Sequence, residues 1–383
     1  VSAGAAAGTG PLAGIRIVEL AGIGPTPFAA TMLAELGADV VRVDRPGEAN
    51  PLALQGGLRR SRASIAVDMK QPAGLAVVQR LIDASDVLIE GYRPGVAERL
   101  GLGPQECLQR NPGLVYARQT GWGQTGPLAD RAGHDLTYAA ISGTLHAIGT
   151  RERPVVPPPL IGDFAGGGLY LVIGVLAALQ ARQSTGAGQV VDAAMVEGSA
   201  HLVALLHSLM DERAWRDQRQ ANLLDGGAPF YDVYECADGK FVAVSALEPQ
   251  FWAELVSILQ IEPAGAQYDL RTWDAQRAQL AETFASRSRD EWAVLFEDSD
   301  ACVAPVLSLK EAQQHPHLVA RGTFAQFDGR TVPVTPPRFS ATPSGPPTSE
   351  PSPGEDTRTY LIAHGFDSGQ VDALIAAGVL AGG

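Results

Sequence analysis

Cysteine, lysine and positive charge are all scarce in this chain. The three cysteines, Cys107, Cys236 and Cys302, lie far apart, with no C-x-x-C pair and no metal-ligand spacing. That excludes a cysteine metal site and favours a reduced, intracellular protein. Of 29 basic residues only Lys70, Lys240 and Lys310 are lysine, a bias that base composition explains. A formal net charge of -13 argues against a general nucleic-acid surface, so an anionic ligand needs a local basic patch. No apolar run is long enough to span a membrane. The most apolar, Phe164 to Leu179, has 16 residues with several glycines and suits a buried helix. The opening VSAGAAAGTGP lacks a basic region and a long apolar core, so no signal peptide is expected. The closing AGG is not a peroxisomal address. There is no internal repeat.

What is present is an ordinary globular composition, 45% hydrophobic and 19% charged over 383 residues, which suggests two domains, or one large domain with an inserted smaller one. Ile15 to Leu20 reads as a buried parallel strand. Phe28, Met32, Leu33 and Leu36 follow at helical spacing, and Asp39 to Val43 is a second strand, making a βαβ unit. Gly22 and Gly24 supply two of the three glycines of a dinucleotide fingerprint. Pro27 stands where the third belongs, and prolines remove the amides that would hold a pyrophosphate. The unit therefore signals a fold, not a nicotinamide site. Further strands are expected at 86–90, 114–118 and 189–193, with an amphipathic helix at 72–82. Residues 216–228 read as a linker. A hairpin around Ala237-Asp238-Gly239 opens a smaller α+β unit, and residues 332–354 read as an extended crossing segment. The expected architecture is α/β: a large Rossmann-like parallel-sheet domain over 1–215, the linker, a small α+β domain over 229–325, and a return segment with C-terminal helices over 326–383.

Arg42, Arg45, Arg59, Arg60, Arg62, Lys70, Arg93 and Arg99 gather near predicted strand ends, where open α/β sheets bind ligands. Guanidinium groups there suit phosphates. Trp122, in the loop after 114–118, either lines a cleft or plugs it. His134 and Asp163 each open an apolar, helix-like segment. Each has a bland reading, the histidine as a satisfied side chain and the aspartate as a helix N-cap. An N-cap aspartate is held ionised, whereas a proton donor needs its pKa raised by burial or a like charge; the sequence leaves both open. If both are functional, an imidazole and a carboxylic acid on opposite faces of a substrate carbon can remove and return a proton. Helix-start amides near His134 would then steady an enolate oxygen. Asp135 and Glu248 are further carboxylates.

The runs GADVVRVDRP, DVLIEGYRPGVAERLGLGP, TGWGQTGP, GHDLTY, LIGDFAGGG, GQVVDAAM, LLDGGAPFYDVYECADG and EPQFW resemble the class III CoA-transferase (CaiB/BaiF) family, and within it the racemase branch acting on 2-methylacyl-CoA. The resemblance implies an interlocked, intertwined homodimer in the cytoplasm that takes an acyl-CoA substrate and no metal or organic cofactor, CoA being part of the substrate. It makes His134 and Asp163 the acid/base pair, with Asp135 and Glu248 in support. It assigns CoA contacts to Arg45, to Val67, Asp68, Met69 and Lys70, to Gly91, Tyr92 and Arg93, to Arg99, and to Gly133, His134, Asp135, Leu136, Thr137 and Tyr138. Racemisation would run through an enolate. The nearest alternative is a CoA-transferase with Asp163 as nucleophile, which typically lacks the GHD histidine. A non-catalytic CoA-binding subunit is a third possibility.

Overall fold

The structure is a computed structural model that describes residues 9–47 and 57–382. The opening read above for a signal peptide lies largely outside the described residues. The chain divides into two units. Residues to 142, 158–202 and from 320 onward form the first, and residues 143–157 and 203–319 the second.

The first unit is built on β1 (Arg16–Leu20), α1 (Pro25–Glu35), β2 (Asp39–Asp44), β3 (Ala63–Val67), α2 (Pro72–Asp83), β4 (Val87–Glu90), α3 (Val96–Arg99), α4 (Pro104–Arg110), β5 (Val115–Thr120) and α5 (Asp135–Ile141). After α6 (Thr144–Ala147), which belongs to the second unit, come a π-helix (Leu160–Leu169), α7 (Tyr170–Thr185), β6 (Gln189–Ala194) and α8 (Met195–Leu202). Strands β1 to β5 are almost wholly buried, the pattern of a parallel sheet covered on both faces. Their order is β3-β2-β1-β4-β5-β6, all parallel, with the short strand Leu380–Ala381 antiparallel on the β3 edge. One face packs on α2, α4 and the C-terminal helices, the other on α1 and α7. Strand order reverses between β1 and β4, and a crevice forms there at the carboxyl ends. β3 was not expected. It is a short ASIAV run directly after an arginine-rich stretch.

Residues from 320 onward return to this unit. The Thr357 hydroxyl accepts the Ala66 amide at 3.1 Å, and Asp356 accepts the Ser64 amide at 3.0 Å. The π-helix and α7 make a continuous 26-residue helical stretch of mean hydropathy 1.8. By length and composition that could cross a membrane, unlike the shorter run read from sequence. It carries Asp163 and packs on α1, α8, β5 and β6. Only 39% of its most apolar window is buried within this chain, and Ile173, Leu176 and Val190 stand exposed.

The second unit holds an antiparallel sheet of β7 (Tyr231–Glu235) and β8 (Phe241–Ser245), closed by Val303–Pro305, with the helices Pro249–Leu259, Trp273–Phe284 and Arg289–Phe296 over it. The stretch read as a linker belongs to this unit. The buried Asn222 amide group donates to Arg216 O, Gln218 O and Asp225, and its Oδ1 accepts the Arg216 amide at 2.7 Å. One side chain thus satisfies a whole loop, and the chain re-enters the second unit at residue 203, between α8 and the helix Ala204–Asp211.

Candidate active site

Three strand ends and two helix starts of the first unit meet at the crevice. After β1 the chain passes through Gly22 and Gly24 into α1, with Pro25 and Pro27 in its first turn. Those prolines supply no amides, in keeping with a fold signal without a dinucleotide site. Gly24 has φ 66°, and a side chain there would approach Asp163 Oδ2 to 3.1 Å. After β4, a Cβ on Gly91 would meet Thr26 Cγ2 at 2.9 Å; after β5, a Cβ on Gly121 would overlap the Tyr138 ring. Glycine at these points lets the loops close on one another.

Asp163 is the fourth residue of the π-helix, and His134 is the N-cap of α5. The helices are joined where they begin: the Asp163 amide donates to Asp135 Oδ1 at 2.7 Å. Gly162 permits this contact, because a Cβ there would sit 2.8 Å from the Asp135 carbonyl. Burial pushes the Asp163 carboxyl up to about 6; the neighbouring Asp135 charge adds to the rise, and His134 opposes it. The N-cap alternative, a carboxylate held ionised by helix amides, is therefore not what this position provides. A like charge and a dry surrounding prevail. The His134 ring is exposed. Tyr138, buried in α5, packs edge-on against Trp122 with ring centroids 4.8 Å apart. Burial, together with the Asp163 charge, pushes its hydroxyl up to about 12, opposed by Arg93. Trp122 thus packs within the site's wall.

Among the amides at the start of α5, that of His134 donates to Thr137 Oγ1, and those of Thr137 and Tyr138 to His134 O. The Asp135 and Leu136 amides, at the first two helical positions, have no intrahelical acceptor.

Replacing Asp135 by asparagine keeps an oxygen for the Asp163 amide and removes the like charge. The Asp163 carboxyl should then titrate below about 6, because the charge that helps to raise it is gone. NMR titration of carboxyl-labelled protein measures this directly.

The basic cluster read from sequence separates into two kinds of residue. Arg42 pairs with Asp44 at 2.9 Å, Arg60 with Glu35 at 2.5 Å and Arg62 with Glu19 at 2.8 Å, all with buried side chains. These are internal ion pairs, spent on holding the strand ends and α1 together. Arg45, Lys70, Arg93 and Arg99 are exposed. Arg45 lies close enough to Tyr92 to oppose the rise that burial imposes on its hydroxyl. Val67 ends β3, and Asp68 to Lys70 form the turn into α2, with Asp68 Oδ1 accepting the Lys70 amide at 3.0 Å. Every expected contact residue named above except Glu248 therefore falls in the first unit. Glu248 lies in the second, as the N-cap of the helix Pro249–Leu259. Sequence reasoning missed Arg118, a buried side chain on β5 held by two carboxylates; its partners lie 28 and 20 residues away, and nothing local announces them.

The model of CoA-transferase family III matches residues 12–357. The chain is 43% identical to human alpha-methylacyl-CoA racemase over 365 residues, 94% of this chain and 95% of that one. It is 30% identical to succinyl-CoA–D-citramalate CoA-transferase of Chloroflexus aurantiacus, covering 91% and 92%. Among solved structures, a CaiB/BaiF family protein from Brucella suis superposes with a TM-score of 0.82 at 25% identity, covering 92% of this chain and all of that one. The parallel sheet, the crevice at its strand-order reversal and these likenesses agree: the chain belongs to CoA-transferase family III.

Proposed function

We propose that the protein is an isomerase that interconverts (2R)- and (2S)-2-methylacyl-CoA thioesters by 1,1-proton transfer. The thioester acidifies the α-proton. One of His134 and Asp163 removes it, leaving an enolate whose oxygen the Asp135 and Leu136 amides face. The other returns a proton to the opposite face of the same carbon, so the C–H bond broken is replaced by one of inverted configuration. The observation that carries this reading is the pair itself. His134 and Asp163 act on each other electrostatically, and the Asp163 carboxyl has its pKa raised to about 6, close to where an acid/base group works best near neutral pH. In support, the chain is 43% and 42% identical to the human and mouse alpha-methylacyl-CoA racemases.

In this proposal the exposed Arg45, Lys70, Arg93 and Arg99 take the phosphates of CoA, and Asp135 and Glu248 support the pair. No resident cofactor is needed, because proton transfer moves no electrons in or out of the substrate. The acyl tail lies along open apolar surface, to which the exposed Ile23, Leu136 and Ile141 contribute. We also propose a cytoplasmic, interlocked homodimer. The three cysteines are free, and the exposed apolar residues of α7 and β6 offer a surface for a second copy.

The test is a comparison of one pure enantiomer of several 2-methylacyl-CoA esters with and without a free carboxylic acid. Racemisation at similar rates across tails of different length, without the acid, is expected. CoA transfer that requires the acid would make Asp163 a nucleophile and the protein a transferase. A sharp cut-off in tail length would overturn the open acyl surface alone.

A further inference from the structure

The carboxyl ends of β4 and β5 carry a buried charge arrangement that the proton-transfer pair does not use. Glu90 and Arg118 are register partners on the two strands. Arg118 Nε donates to Glu90 Oε1 at 2.8 Å. Its two terminal nitrogens reach both oxygens of Glu98 on α3, at 2.9 Å and 3.3 Å. The second oxygen of Glu90 accepts the Tyr92 amide at 2.7 Å. Glu90 and Arg118 are nearly inaccessible, with side-chain exposures of 0% and 7%, while Glu98 is 40% exposed.

A guanidinium held by two carboxylates has little left for a phosphate. It does fix two things. Through Glu90 it orients the Gly91-Tyr92-Arg93 turn, in which Tyr92 lies within electrostatic reach of Arg45, and Arg93 of Tyr138. Through Glu98 it anchors a four-residue helix whose last residue is Arg99. So short a helix has almost no stability of its own, and the aim of Arg99 depends on that anchor.

We infer that Arg118 is a positioning residue for the phosphoadenosine diphosphate end of the ligand: it touches no substrate and sets Arg93 and Arg99 for the phosphates through Glu90 and Glu98. This rests on the CoA-ester reading above. It predicts that disturbing the arrangement weakens binding of the nucleotide end and leaves the chemistry intact.

The experiment titrates CoA and pantetheine, which lacks the nucleotide and its phosphates, into full-length protein by calorimetry. Turnover is measured on acyl-CoA and on the same acyl group carried by pantetheine. Arg118→Met leaves Glu90 buried without its partner, a change that can unfold the protein. Glu98→Gln keeps the Glu90–Arg118 pair and weakens only the α3 anchor. For Glu98→Gln the CoA dissociation constant and the acyl-CoA KM should rise about tenfold, the effect of losing about 1.4 kcal/mol. kcat and every pantetheine parameter should stay unchanged. A folded Arg118→Met should rise further in the same parameters. Unchanged CoA binding in Glu98→Gln, or an equal loss with pantetheine, would overturn the positioning role. Wild-type protein that fails to bind CoA would overturn the CoA reading along with it. Wild-type protein that binds CoA but does not racemise would overturn only the racemase reading, and the dissociation constants would still decide the role of Arg118.

Discussion

Asp163→Asn should lower the rate of racemisation about a thousandfold, the scale of a lost general acid/base group, and should raise the melting temperature at neutral pH. The second effect follows from the sign of the pKa shift. Asp163 titrates at about 6 in the folded chain, above its ordinary value of 3.8, so the native state holds the proton more tightly than the unfolded one. Wild-type stability therefore falls as pH rises from the unfolded value through the folded one, and the loss is complete above it. The shift is worth at most about 3 kcal/mol, because the side chain keeps some of its water. Asparagine carries no charge to desolvate. The variant and the wild type should melt at similar temperatures near pH 4, and the variant should melt higher at pH 8. Calorimetry across that range checks the prediction. A variant less stable than wild type at pH 8 would mean that the carboxylate is a stabilising element and not a strained one.

Gly198→Ala should be the most destabilising single methyl addition near the site. Its Cβ would lie 1.9 Å from the Gly166 carbonyl oxygen, a contact only a backbone shift can relieve. Gly166 faces the same seam, where a Cβ would meet the Ser199 amide at 2.7 Å, and Gly167 and Gly168 close on Met195 and Phe28. Glycine allows the π-helix to lie directly on α8 and α1. Overpacking such a seam costs about 3 kcal/mol. It also moves the helix that carries Asp163, so kcat should fall along with the denaturant midpoint. A variant as stable and as active as wild type would show that the seam tolerates separation, and that the glycines serve some other end.

Much of the first unit could be read from local pattern. Its buried aliphatic runs and the capped or proline-led helices between them are signals carried within a few residues. The places where the sequence misled are those where the deciding partner is distant. Nothing near Arg60 or Arg62 says that Glu35 and Glu19 will bury them as ion pairs, so they looked like phosphate ligands. GDFAGGG read as a helix start, but the wide π turns depend on how closely α8 and α1 approach its glycines. The protonation of Asp163 was ambiguous because it depends first on burial and then on the charge of Asp135, 28 residues earlier, and both arrive only through folding. Asn222, which turns an apparent linker into a tied loop, is a single polar residue with no periodic signal.

In the proposed mechanism His134 and Asp163 exchange the α-proton of an acyl thioester. Its most direct test is proton NMR of one pure 2-methylacyl-CoA enantiomer incubated with the protein in deuterated water, without any acid acceptor. The predicted result is loss of the α-proton signal, deuterium at that carbon and appearance of the other enantiomer, with racemisation abolished in His134→Ala and in Asp163→Ala. Retention of the α-proton in the wild-type reaction, with CoA moving only once a free carboxylic acid is added, would contradict it.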